Sequence, residues 1–206
     1  MKNQKCKKCR RSGQKLFLKG ERCFSQKCAM VRRPYPPGIH GKSRRRKFSE
    51  YAQQLLEKQK LKFAYGLSER QLENYFEKVM KRKGDKEELF IKELESRLDN
   101  VVHKLGFATS KRKARQVVSH GHILINNRKT NIPAYQVRKG DEIKLKESSK
   151  KLNHFAELTS LLKNHEIPGW LSFDKDKLVA KVKSEPQTEE FEKVGDISMI
   201  IEYYSR

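Results

Sequence analysis

All four cysteines lie within the first 28 residues, as Cys6, Cys9, Cys23 and Cys28, and they set the terms on which that stretch can fold. Residues 1–48 carry 17 Lys and Arg against one acid, Glu21, a net of +16, with few apolar side chains to gather into a core. A segment so charged stays disordered unless something crosslinks it. The spacing C-x2-C-x13-C-x4-C supplies two close pairs, each able to wrap one edge of a tetrahedral ion. The loop between them needs only a hairpin, turning at Ser12-Gly13 and Lys19-Gly20. Four thiolates suit one structural Zn2+ and leave no open position for catalysis. The same spacing would also hold two disulfides or an iron–sulfur cluster. The opening MKNQKCKKCRR has no apolar stretch or small-residue cleavage site, so a reducing compartment is expected, which disfavours disulfides, and nothing suggests electron transfer. Lys5, Lys7, Lys8, Arg10 and Arg11 favour the thiolate form, and His40 is not needed as a ligand.

The remaining charge is uneven. Residues 49–96 balance ten bases against ten acids, 97–151 carry 14 against 4, and 152–206 carry 7 against 10, which leaves +23 over 206 residues. Two basic blocks beside neutral or acidic ones fit contact surfaces for a polyanion, nucleic acid first; the plainer reading is a solvated basic tail. No apolar run is long enough to span a membrane. After the cysteines comes a stretch too rich in Pro, Gly and charge to form a core, expected as an extended arm. On RNA its Arg32, Arg33, Lys42, Arg44, Arg45, Arg46 and Lys47 would lie along phosphates, with Tyr35 against a base or sugar and His40 as a further RNA contact. A flexible linker or localisation run is the duller alternative.

From Ser49 the pattern becomes helical. Ser49 to Tyr65 before Gly66 predicts one helix, and Ser68-Glu69-Arg70-Gln71 has the form of a capping box opening a second. There Leu72, Tyr75, Phe76, Val79 and Met80 recur at helical spacing, and the aromatics are expected in a core. A third helical stretch runs from near Asp85 to Gly106, breaking near Ser96.

The central basic block carries the most information. Arg97 to Ala108 predicts a helix and a tight turn; Ser110 then caps a short helix with Ala114, Val117 and Val118 inward and Lys111, Arg112 and Arg115 outward. His120-Gly121-His122 leads into a strand and a two-residue turn at Asn126-Asn127, then Arg128 and Lys129. Further strands are expected at Tyr135 to Val137 and Glu142 to Leu145. Two helices against a small sheet would present one continuous cationic face.

The run RLDNVVHKLGFATSKRKARQVVSHGHILINNRKTNIPAYQVRKGDEI resembles the RNA-binding module named after small-subunit ribosomal protein S-four. That module also occurs in RNA enzymes such as pseudouridine synthases and tyrosyl-tRNA synthetases. The flanking LFLKGERCFSQKCAMVRRPYPPGIHGKSRRRKFSEYAQQLLEKQKLKFAYGLSERQLENYFEKV and the ending IIEYYSR resemble the bacterial-type ribosomal family itself, so the likeness covers nearly the whole length. Asn127 stands where that family usually has Gly, and Asn tolerates the left-handed conformation the turn demands.

The resemblance implies a primary rRNA-binding protein that nucleates folding of the small-subunit body. It would lie near the mRNA entrance, contact ribosomal protein S-five and influence decoding accuracy, in the cytoplasm or an organellar matrix. The expected fold class is α+β. Residues 1–48 form the zinc-binding segment and arm, and 49–96 a helical module completed by about 185–206. Residues 97–184 form the RNA-binding domain, its core at 97–151. Within 152–206, Leu152 to Asn164 fits a helix, Trp170 a core position, and Ile197 to Tyr204 strand or helix alike. The expected RNA contacts in the central block are Ser110, Lys111, Arg112, Arg115, His120, Gly121, His122, Arg128 and Lys129, with Gly121 permitting close backbone approach. An RNA-modifying enzyme would need a catalytic domain larger than 152–206. A zinc-containing DNA-binding regulator would use Ser110 to Val118 as a recognition helix, and the long basic arm speaks against it.

Overall fold

A computed structural model of the chain describes residues 4–43, 47–150, 152, 155, 162, 165–174, 177–187, 191 and 194–205. In chain order its helices are α1 (Gln4–Ser12), α2 (Glu21–Phe24), α3 (Ala29–Arg32), a 3-10 turn (Ile39–Lys42), α4 (Glu50–Tyr65), α5 (Glu69–Met80), α6 (Lys86–Glu95), α7 (Leu98–Lys104) and α8 (Lys111–Ser119). Strands β1 (Ile123–Ile125), β2 (Arg128–Thr130) and β3 (Glu142–Leu145) follow, then α9 (Glu147–Lys150), β4 (Leu171–Asp174), β5 (Val179–Val182) and α10 (Ile197–Ser205). Two compact units result: 1–87 with 192–206, and 88–191.

In the first unit, sequence chemistry places each helix end. The Ser49 hydroxyl accepts the Ala52 N–H at 3.3 Å to start α4, and Gly66, at φ 64°, ends it. The capping box is complete: Ser68 Oγ accepts from Gln71 N at 3.2 Å, and Gln71 Oε1 accepts from Ser68 N at 3.1 Å. Along α5, Leu72, Phe76 and Val79 are buried, Tyr75 is half-buried and Met80 is exposed, so the apolar stripe is narrower than its spacing implies. The ending is a helix. Its Tyr204 stacks on Phe76 with ring centroids 4.9 Å apart, Tyr203 meets Tyr51 at 5.7 Å, and Glu202 accepts from the Gln54 amide at 3.0 Å. Lys58 lies 4.1 Å from the Tyr203 ring centroid and 2.6 Å from Glu69 Oε1, while Lys62 holds Glu69 Oε2 at 2.7 Å. Burial alone would raise the Glu69 carboxyl, but the bonds and charges of the two lysines prevail and hold it at about 2.

The second unit mixes helices with an antiparallel sheet of strand order β2-β1-β3-β5-β4. Leu98, Val101, Val102 and Leu105 of α7 and Ala114, Val117 and Val118 of α8 share one core with Ile123, Ile125, Ile143 and Leu145 of the sheet. Asn126 and Asn127 both take positive φ, 49° and 66°, the geometry that matches strand twist in a two-residue hairpin. Asn126 also donates to Asp141 Oδ1 at 2.8 Å and accepts from Glu142 N at 2.9 Å, tying the turn to β3.

Four expectations need correction. Tyr135 to Val137 is no strand: apart from a single bridge of Gln136 to Arg97, the segment gives its bonds to the α6–α7 junction. Leu98 N donates to Tyr135 O at 2.8 Å and Val137 N to Ser96 O at 2.9 Å. The sheet is completed instead by β4 and β5, in a stretch for which no strands were expected, with Trp170 buried just before β4. In place of a hairpin, α1 carries Cys6 and Cys9 and α2 carries Cys23, although positive-φ Gly13 and Gly20 do turn the chain between them. The arm, Arg32 to Lys47, is not extended throughout, since the 3-10 turn lies within it. Of the helix expected over Leu152 to Asn164, Phe155 and Leu162 are helical and buried; most of the segment lies outside the described residues.

Candidate nucleic-acid interface

The α8–β1 corner follows from local sequence. Ser110 Oγ accepts from Lys113 N at 3.3 Å, so its hydroxyl is committed to capping α8, and the residue is buried. With Ala114, Val117 and Val118 fixed in the core, Arg112 is exposed and Arg115 half-exposed on the other side of the helix. Lys111 differs from them: it is half-buried and its ammonium is shielded from solvent.

After α8 the chain reverses at Gly121, φ +72°, which is buried. A side-chain carbon there would stand 2.2 Å from Lys129 Cε, so the glycine opens a path for the Lys129 side chain. This lysine arrives from β2 in register opposite Leu124. Arg128, exposed, pairs with Ile125 beside the hairpin turn. His120 is exposed at the end of α8; its ring centroid is 5.9 Å from that of His122. His122 is held from two sides, with Nδ1 2.9 Å from Ser149 Oγ and the ring edge-on to Phe155 at 5.6 Å. The corner thus gathers His120, Gly121, His122 and Lys129.

In the first unit, none of the four cysteines forms a disulfide. Among the described residues, no group of three or more His, Cys, Asp or Glu side chains is gathered as a metal centre. Burial pushes the Cys9 thiol up against the opposing Leu16 N–H, and charge on Cys23, Cys6 and Cys28 adds to the rise. The Lys19 N–H donates to Cys23 Sγ at 3.4 Å. Cys9, Cys23 and Cys28 are buried and Cys6 is half-buried.

The arm is held by a residue the sequence pattern did not single out for that task. Arg10 donates to the carbonyls of Arg33 at 3.1 Å, Tyr35 at 2.7 Å and Pro36 at 3.0 Å, and its guanidinium lies 4.8 Å from the Tyr35 ring centroid. Lys42 approaches the same ring at 5.4 Å. Proline-rich backbone offers carbonyls with few N–H partners, which is the signal that could have pointed to a guanidinium. Arg32, Arg33, His40, Lys42 and Lys47 are exposed. Arg44, Arg45 and Arg46 lie outside the described residues. A second unanticipated feature is Phe17 stacked on Phe24 at 5.0 Å, both exposed among basic neighbours.

The chain also has relatives. The sequence pattern of the "Ribosomal protein S4/S9 N-terminal domain" matches residues 1–95, and that of the "S4 domain" matches 96–143. It is 50% identical over 201 residues to small ribosomal subunit protein uS4 of Thermus thermophilus. Identity is 47% to the protein of the same name from Syntrophomonas wolfei and 46% to that from Fervidobacterium nodosum. Each alignment covers 98% of this chain and 96% of the relative.

Proposed function

Since the chain belongs to the uS4 family of small ribosomal subunit proteins, we propose that it binds small-subunit rRNA through the α8–β1 corner and the Arg10-braced arm. It is a structural component of the small subunit and no enzyme, as the family is one of ribosomal proteins. The observation that carries the reading of the interface is the convergence of Lys129, His120 and His122 around Gly121, at the end of the helix that exposes Arg112 near its start.

The chemistry follows from charge and shape. Side chains do not read the deep groove of A-form RNA, so phosphate neutralisation supplies affinity and the fit of a rigid corner to folded RNA supplies specificity. Arg112 and Arg115, displayed by a helix whose other side is locked in the core, serve as phosphate clamps. The arm adds a second track, with carbonyl-anchored Arg10 holding Arg32 and Arg33 where their own side chains stay in solvent. From the family resemblance we further assign nucleation of the subunit body, contact with ribosomal protein S-five, a position near the mRNA entrance with an influence on decoding accuracy, and the cytoplasmic ribosome as location. No helix among the described residues is long and apolar enough to cross a membrane.

We also propose one structural Zn2+ on Cys6, Cys9, Cys23 and Cys28. Support comes from the donor set, four unpaired cysteines in two close pairs, three of them buried, with the Lys19 N–H on Cys23 Sγ. The ion would supply the crosslink that so basic a segment lacks. Elemental analysis of anaerobically purified protein should give one zinc per chain; metal-free protein with the fold of the first unit intact would remove the assignment.

The binding reading is tested by filter binding across a salt series. Structured small-subunit rRNA should bind far more tightly than duplex DNA of equal length, and equal affinities would reject it. Arg112→Ala with Arg115→Ala should lower the slope of log affinity against log salt by about two while leaving the thermal transition in place.

A further inference from the structure

One side of α8 runs from the core at Val117 out to solvent at Gln116 and His120. Lys113, Gln116, Val117 and His120 recur at i, i+3, i+4 and i+7, and they line a cleft of about 230 Å3 closed by His122, Leu152 and Phe155. Val117 and Phe155 are buried, whereas Gln116, His120 and Leu152 are exposed, so the cleft has an apolar, aromatic depth and an open lip. Its volume falls below the roughly 300–1,000 Å3 of a pocket for a drug-sized ligand. It suits a single planar ring.

Three rings stand in sequence along it: His120 to His122 at 5.9 Å, tilted by 50°, and His122 to Phe155 at 5.6 Å, edge-on at 68°. Ser149 fixes the middle ring at 2.9 Å. His120, at the end of α8, keeps a face toward solvent. An amide, Gln116, and an ammonium-bearing side chain, Lys113, occupy the same side of the helix. The surrounding block carries a net of +10, so a polyanion is what the surface attracts. A planar ring tethered to a phosphate chain matches each of these features, while a polypeptide or a lipid matches only some.

We propose that the cleft receives one unstacked nucleobase of bound RNA, stacked against His120, with Gln116 reading its edge and Lys113 meeting the adjoining phosphate. This rests on the rRNA-binding reading above and adds a site of different chemistry to it. Arg112 and Arg115 act on phosphates, so their loss changes the salt dependence. A stacked base contributes without releasing counterions, so its loss leaves that dependence alone.

The test uses the full-length protein and structured small-subunit rRNA, comparing His120→Ala and His120→Phe with the wild type over a salt series. His120→Ala is expected to weaken binding about tenfold with an unchanged salt slope, and His120→Phe, which keeps a π-face but no charge or ring nitrogen, to bind within about twofold of wild type. Ultraviolet crosslinking of the wild-type complex, read by mass spectrometry, should place a nucleotide on peptides containing His120, His122 or Phe155. The proposal is overturned if Phe binds as poorly as Ala, if Ala alters the slope or costs nothing, or if the crosslinks avoid these peptides. Failure of the wild type to prefer rRNA would instead bring down the binding reading itself.

Discussion

Glu69 lies between two ammonium groups, Lys58 at 2.6 Å and Lys62 at 2.7 Å, and also accepts from the Tyr204 hydroxyl at 3.1 Å. Burial works against ionisation there, yet the carboxyl is held at about 2, below its ordinary 4.5. A depressed acid stabilises the folded state above the unfolded value and loses that contribution as pH falls toward the folded one. The first unit should therefore shed this contribution between about pH 4.5 and 2. Since the Glu69 side chain is 46% exposed, solvent screening reduces it to about 1 kcal/mol. The check is acid titration of wild type against Glu69→Gln, followed by hydrogen exchange in α4 and α5. Their difference should be present at neutral pH and vanish near pH 2; a constant difference would mean that Glu69 acts through packing. Tyr204 registers the same carboxylate from the other side, its hydroxyl pushed up first by burial and then by the Glu69 charge.

At the scale of elements, α8 is the piece on which the interface depends, and Ser110 is the residue that starts it. Ser110→Ala removes the acceptor of the Lys113 N–H and should cost the second unit about 1 kcal/mol, whereas Ser110→Asp keeps an acceptor and should cost far less. Trp170, buried in this unit and the chain's single tryptophan, reports the urea midpoint by fluorescence. The same local chemistry explains why so much was legible beforehand. Ser49, the Ser68–Gln71 box, the break near Ser96 and the Asn126-Asn127 turn are decisions made by neighbouring residues, and the structure keeps each of them. What escaped depends on partners far away in the chain. The strands β4 and β5 gain their identity only by pairing onto β3, Glu142 with Lys181 and Ile143 with Ala180, some forty residues apart. The Tyr135–Val137 segment has strand-like residues, but Tyr135 O accepts from Leu98 N and Val137 N donates to Ser96 O, and these bonds capture it. Arg10 reaches 23 to 26 residues ahead to fold the arm, a contact no periodicity announces. The cleft is hidden for the same reason: Phe155 meets His122 across more than thirty residues.

Over the whole chain, the first unit draws on both ends of the sequence, and that topology decides where its stability resides. Residues 1–87 are completed by 192–206, while 88–191 close on themselves. The closing segment is α10, nine residues long, and an isolated helix that short does not persist in water. It is helical because Ile197 and Ile200 are buried and because Tyr203 and Tyr204 meet Tyr51, Lys58 and Phe76 of α4 and α5. Those helices depend on it in turn, since without α10 the Phe76 ring loses its stacking partner and Glu69 its hydroxyl donor. Replacing Tyr203 and Tyr204 together by Ala should therefore act on one unit alone. Each truncation deletes a large aromatic contact area, and together they should cost the first unit about 4 kcal/mol or more. Amides of α4, α5 and α10 should exchange faster by orders of magnitude, while those of β1, β3 and β5 keep their protection, because no residue of that sheet belongs to the unit that α10 completes. Uniform loss of protection in both units would show that the chain unfolds as a single cooperative block, and would move the source of the first unit's stability away from its joined termini.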